Sequence, residues 1–148
     1  MNKITKIVLV EDNPADAQLA HLAFKSISPE ADVINFSNGK DFLEHLDQTN
    51  IEPISLVLLD LNMPQMNGTE VLKTLQGNKS WAKIPVVVFS SSKQQDDIQN
   101  CYDLGANAYV TKPFDYTEFE KTIEAIARFW GNLNQSPSVK AKNSVLKF

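Results

Sequence analysis

Leu56-Val57-Leu58-Leu59-Asp60 decides the reading of this chain: four apolar residues run straight into a carboxylate. Four buried-type residues bounded by turns mark a strand covered on both faces. An Asp at the end of such a strand is rarely buried without a partner. The rest of the sequence is therefore searched for strands beside this one and for polar residues at their ends.

Four further apolar runs read as strands: Ile7–Val10, Val33–Phe36, Val86–Phe89 and Ala108–Val110. Segments with helical spacing lie between them. The first helix begins at Pro14, with Asn13 as N-cap, because Pro suits the first helical position. Its apolar stripe reads Leu19, Leu22, Ala23 and Ile27, and it stops before Pro29. A second helix fits Lys40–Gln48, with Phe42, Leu43 and Leu46 inward. A third fits Thr69–Leu75, closed by Gly77. A fourth fits Gln95–Leu104, with Gly105 as a left-handed C-cap. A fifth fits Tyr116–Trp130, with Phe119, Ile123, Ile126, Ala127 and Trp130 on one face. Five strand-helix alternations predict an α/β fold: a five-stranded parallel sheet flanked by five helices on both faces. The folded unit is expected over 1–130. Residues 131–148 read as a C-terminal tail, flexible or docking through Val145, Leu146 and Phe148.

The composition narrows the function classes. The chain has 148 residues, 43% of them hydrophobic, which suits one domain with a real core. The formal net charge of -4 disfavours nucleic acid and anionic membranes as partners. Cys101 is the one cysteine, so no internal disulfide is possible. No apolar run reaches the ~18 residues of a membrane span. Met1–Lys6 is too short for a cleavable signal. Cytoplasmic residence is the expectation.

Ligands of open α/β sheets bind at the carboxyl ends of the strands. Glu11, Asp12 and Asn13 follow the first strand, and Asp60 to Pro64 the third. Ser90, Ser91 and Ser92 follow the fourth, and Thr111, Lys112 and Pro113 the fifth. The common order 2-1-3-4-5 makes strands 1 and 3 neighbours, so Glu11, Asp12 and Asp60 converge. Crowded carboxylates resist ionisation, and a hard divalent cation such as Mg²⁺ relieves the conflict. Ser90 then lies beside Asp60, and Lys112 can reach back across roughly 10 Å of sheet. A carboxylate nucleophile, a cation, a hydroxyl and an ammonium meet the needs of phosphoryl transfer to Asp60. Taken singly, Asp12 could be a loop acid, Ser90 a turn residue and Lys112 a solvated lysine. Their placement at four strand ends on one side of one sheet favours the shared site.

These segments resemble the receiver domain of two-component response regulators, a flavodoxin-like fold. The resemblance spans roughly 5–130. It rests on Val8-Leu9-Val10-Glu11-Asp12-Asn13, Leu58-Leu59-Asp60-Leu61-Asn62-Met63-Pro64, Val88-Phe89-Ser90-Ser91, Gly105-Ala106 and Tyr109-Val110-Thr111-Lys112-Pro113-Phe114. It implies a sensor histidine kinase as phosphodonor and Asp60 as phospho-acceptor. It implies Mg²⁺ or Mn²⁺ on Asp12, Asp60 and the backbone carbonyl of Asn62, with Glu11 acting directly or through a metal-bound water. Ser90 and Tyr109 become the switch pair, acting on the fourth helix, fifth strand and fifth helix. Asn62 and Ser92 border the path of hydrolytic water in this family, and neither is an obvious general base. A stand-alone receiver is expected, with output through a downstream protein or self-association. Phe129-Trp130 is similar to a Phe-Trp pair near that helix end in the small regulators of cyanobacterial phytochromes.

Three rivals explain less. A haloacid-dehalogenase-type hydrolase needs an acid two residues after its nucleophile, where Asn62 stands. A dinucleotide-binding turn needs glycines where Glu11-Asp12-Asn13-Pro14 would repel phosphate. A receiver-like adaptor that no longer uses phosphate would not need Glu11, Asp12, Asp60, Ser90 and Lys112 together.

Overall fold

The computed structural model describes residues 6–48 and 53–135. Five strands carry the chain through the middle of the molecule: β1 (Lys6–Val10), β2 (Asp32–Phe36), β3 (Leu56–Leu59), β4 (Val86–Ser90) and β5 (Ala108–Thr111). All pair in parallel, in the order β2-β1-β3-β4-β5. The helices are α1 (Pro14–Ile27), α2 (Gly39–Leu46), α3 (Gly68–Gln76), α4 (Gln95–Asp103) and α5 (Tyr116–Ile126). A short 3-10 turn, Trp81–Lys83, precedes β4.

Alternation along the strands sorts the core into two layers. Val8, Val10, Val57, Leu59, Val86 and Val88 face α2, α3 and α4, where Phe42, Leu46, Val71, Leu72 and Cys101 meet them. Ile7, Leu9, Leu56, Leu58, Val87 and Phe89 face α1 and α5, against Phe24, Phe119 and Ile123. β1, β3 and β4 are buried along their whole length, which explains their unbroken apolar runs.

Local signals set the helix ends. Asn13 Oδ1 accepts from the N–H of Ala15 and of Asp16, so the expected cap on α1 is in place. Such a cap is worth ~1 kcal/mol. α3 starts with a capping box between Asn67 and Glu70 that the sequence reading did not include. Gly105 sits at φ 97°, the left-handed position expected after α4.

Two expectations need correction. Leu22 does not face the core: it is 56% exposed, and α1 buries Ala17, Ala20, Ala23 and Phe24 instead. The small alanines form the innermost face, beside α5; Leu19, Ala23 and Ile27 pack on the core as expected, and Leu22 is the member of that stripe that turns outward. The fifth helix also runs on past Trp130, as a π-helical turn over Ala127–Leu133. There Trp130 packs against the α1/α5 layer, and Phe129 is exposed beside it. The docking expectation for Val145, Leu146 and Phe148 lies outside the described residues. Among the described residues no helix is long and apolar enough to cross a membrane.

Candidate functional site

The parallel ladders extend just far enough to fix two acidic residues. The Glu11 N–H donates to the Phe36 carbonyl and the Asp60 N–H to the Val10 carbonyl, each at 3.0 Å. Both side chains are therefore delivered at the carboxyl edge of the sheet from rigid backbone, and both are buried. Asp12, the next residue, is more open to solvent. Glu11, Asp12 and Asp60 bring carboxylate oxygens within 4.8 Å of one another.

That crowding has an electrostatic signature. Burial pushes the Glu11 carboxyl up to about 7, with the Asp60 charge adding to it and Lys112 opposing it. Burial also raises Asp60, and Asp12 adds to that; Lys112, Glu11 and the Asn62 backbone work the other way. Oxygen donors held together against their own repulsion fit a hard divalent cation.

Lys112 enters from the end of β5. Its backbone N–H donates to the Ser90 carbonyl at 2.8 Å, which ties the lysine to the end of β4. Its Nζ lies 2.7 Å from Glu11 Oε1, 2.9 Å from Asp16 Oδ2 and 3.7 Å from Asp60 Oδ1. Burial alone would lower this ammonium, but its bond to Glu11 and the charges of Glu11 and Asp60 raise it. It is thus a fixed cation at the site, and it also lies 5.8 Å from the Phe89 ring centroid.

Ser90, the last residue of β4, is fully buried, and its Oγ accepts from the Ser92 N–H at 3.2 Å. Tyr109 packs on the α4 side of the sheet, and its hydroxyl donates to the Ser92 carbonyl at 2.9 Å. Ser92 therefore links the two. Asn62 is exposed on the loop after Asp60. In that loop Gln65 adopts φ 67°, and the Gly68 N–H donates to the Leu61 carbonyl.

The structure brings Glu11, Asp12, Asp60 and Lys112 together as the sequence implied. It adds Asp16, which the sequence reading passed over. An acid in the first turn of a helix looks like an ordinary dipole partner; nothing local marks it as the ligand of a lysine 96 residues away. Cys101 is buried in α4, and burial lifts its thiol to about 11, so it is packed rather than reactive. His45 sits at a core edge, with Lys6 Nζ 3.2 Å from its Nε2 and the Phe36 ring 5.2 Å away.

The chain is similar over most of its length to known response regulators. Response regulator Rcp1 of Synechocystis sp. is 34% identical over 128 residues, 84% of this chain and 87% of its own length. A crystal structure of the phosphorylated cyanobacterial phytochrome response regulator RcpA superposes with a TM-score of 0.87 at 35% identity, covering 92% of this chain and all of that one. The Mn²⁺-bound form of Rcp1 superposes with a TM-score of 0.85 at 32% identity, covering 90% of this chain and 99% of that one. The profile of the response regulator receiver domain matches residues 7–124, a span that contains every strand end described above. The chain belongs to the response regulator receiver domain family, the signal-receiving modules of two-component systems.

Proposed function

We propose that this chain is a single-domain response regulator in which Asp60 accepts a phosphoryl group from a sensor histidine kinase. The observation that carries the reading is the Asp60 carboxylate, buried at the end of β3, with Lys112 Nζ 3.7 Å away. An Asp60 oxygen forms the new bond to phosphorus as the donor's P–N bond breaks. Lys112 compensates charge on the phosphoryl oxygens, and Ser90 supplies a hydroxyl to them. Mg²⁺ or Mn²⁺, held by Glu11, Asp12, Asp60 and the Asn62 backbone carbonyl, would neutralise further phosphoryl charge; the carboxylate cluster and the Mn²⁺-bound form of Rcp1 support this.

The new charge on Asp60 is the signal. Ser90 and Tyr109 carry it to a face made by α4, β5 and α5, and the shared Ser92 contact supports that coupling. The face binds a downstream protein or a second copy of the chain. The -4 net charge argues against nucleic acid or an anionic membrane as the target. The unit turns over nothing but its own phosphate. We place it in the cytoplasm, with the receiver unit extending past 130 through the helical turn that ends at Leu133; likeness to RcpA supports a phytochrome-type kinase as donor.

The deciding experiment is intact mass after treatment with acetyl phosphate and Mg²⁺. One phosphoryl addition is expected, absent in Asp60→Asn and in EDTA. Wild type without an adduct would favour an adaptor that has stopped using phosphate.

A further inference from the structure

Lys112 gives two of its hydrogen bonds to acids, and one of those acids lies outside the carboxylate cluster. We propose that Asp16 is a positioning residue: it holds the Lys112 ammonium away from Asp60 and competes with a phosphoryl group for it. The proposal rests on the reading of Asp60 as the phospho-acceptor.

The distances state the competition. Nζ is 2.9 Å from Asp16 Oδ2, within hydrogen-bond reach, and 3.7 Å from Asp60 Oδ1, beyond it. An ammonium has three N–H donors, and Glu11 and Asp16 each take one. Glu11 is committed on both oxygens, because Oε2 also accepts from the Asn13 N–H at 3.1 Å. Glu11 further belongs to the donor set that fits a cation, whereas Asp16 does not. Asp16 is thus the partner that can stay on Lys112 whatever Glu11 is doing.

Its own placement is firm. The Asp16 N–H is bound by Asn13 Oδ1 at 3.1 Å in the first turn of α1, so its carboxylate projects from a fixed point. The resulting ion pair spans 96 residues and ties α1 to the end of β5. A phosphoryl group on Asp60 replaces one carboxylate charge with about two negative charges on the phosphoryl oxygens. It must draw the ammonium from Asp16 or share it, against the repulsion of the Asp16 charge. Removing that charge should therefore favour the phosphorylated form. The Asp16 side chain is partly exposed, so solvent moderates the effect to roughly three- to tenfold.

The test is calorimetric titration of the full chain with beryllium fluoride in the presence of Mg²⁺, with thermal melts in parallel. Asp16→Asn should bind roughly three- to tenfold tighter than wild type. Asp16→Glu, which keeps the charge, should stay within about twofold of wild type. A crystal structure of the unphosphorylated Asp16→Asn protein should show Lys112 Nζ within hydrogen-bond distance of Asp60. Affinity equal to or weaker than wild type in Asp16→Asn overturns the proposal, even if its melting point shifts. So does a Lys112 that stays out of reach of Asp60 in that crystal structure. Wild type that binds no beryllium fluoride overturns the phospho-acceptor reading itself, and this proposal with it.

Discussion

Lys112 Nζ and Glu11 Oε1 lie 2.7 Å apart across 101 residues of chain, joining the end of β5 to the end of β1 over the intervening strands. The pair does not offset the burial of Glu11, whose carboxyl still rises to about 7 from an ordinary 4.5.

That rise makes stability and metal affinity depend on pH in opposite directions. The folded state holds a proton on Glu11 that the unfolded chain releases above about 4.5, so between 4.5 and 7 the folded state binds more protons. The stabilisation is fully present below 4.5 and is lost as pH rises through about 7. In EDTA the melting temperature should therefore fall as pH rises across this window, with a smaller slope in Glu11→Gln. Divalent-cation affinity should climb over the same window, since the ligand form is the carboxylate. Melts and Mg²⁺ titrations across the window check both; a flat Mg²⁺ affinity would remove Glu11 from the ligand set.

Gly68 is where the loop after Asp60 meets the start of α3. A Cβ there would lie 2.6 Å from the Asp60 carbonyl oxygen and 2.9 Å from Leu61 Cα. Backbone on both sides cannot yield as a flexible side chain would. Gly68→Ala should cost about 1–3 kcal/mol in urea unfolding. It should also slow acetyl-phosphate labelling, because relief of the clash moves Asp60.

The Tyr109 hydroxyl is bound to the Ser92 carbonyl. Tyr109→Phe removes one partly buried hydrogen bond while keeping the ring, so the loss should be about 0.5–1.5 kcal/mol. If Tyr109 carries the signal, this variant should still be phosphorylated but respond less at the α4-β5-α5 face. Hydrogen exchange of α4 with and without beryllium fluoride reads that response.

The rotation of α1 is checked by a pair of variants. Phe24 is 1% exposed and Leu22 is 56% exposed. Phe24→Ala should cost about 3–5 kcal/mol, whereas Leu22→Ser should stay within about 0.5 kcal/mol of wild type. Equal losses would mean that Leu22 is covered in solution.

What the sequence determined by itself was the set of elements and the chemistry at their ends. Apolar runs bounded by polar residues, Asn13-Pro14 before a helix and Gly105 after one are signals within a few residues, and the observed strands and caps follow them. Glu11, Asp12, Asp60 and Lys112 follow their strands as placed, and Ser90 is the last residue of β4 itself, because a strand's end is a local event. Only the tertiary structure decided how helices turn and which distant charges meet. The inner face of α1 depends on close packing beside α5, which favoured alanines over Leu22. The Asp16–Lys112 contact requires the strand order, the cap at Asn13 and the reach of a lysine from β5 to act together. No short-range pattern encodes such a pair, because its energy arises between groups that the fold alone makes neighbours.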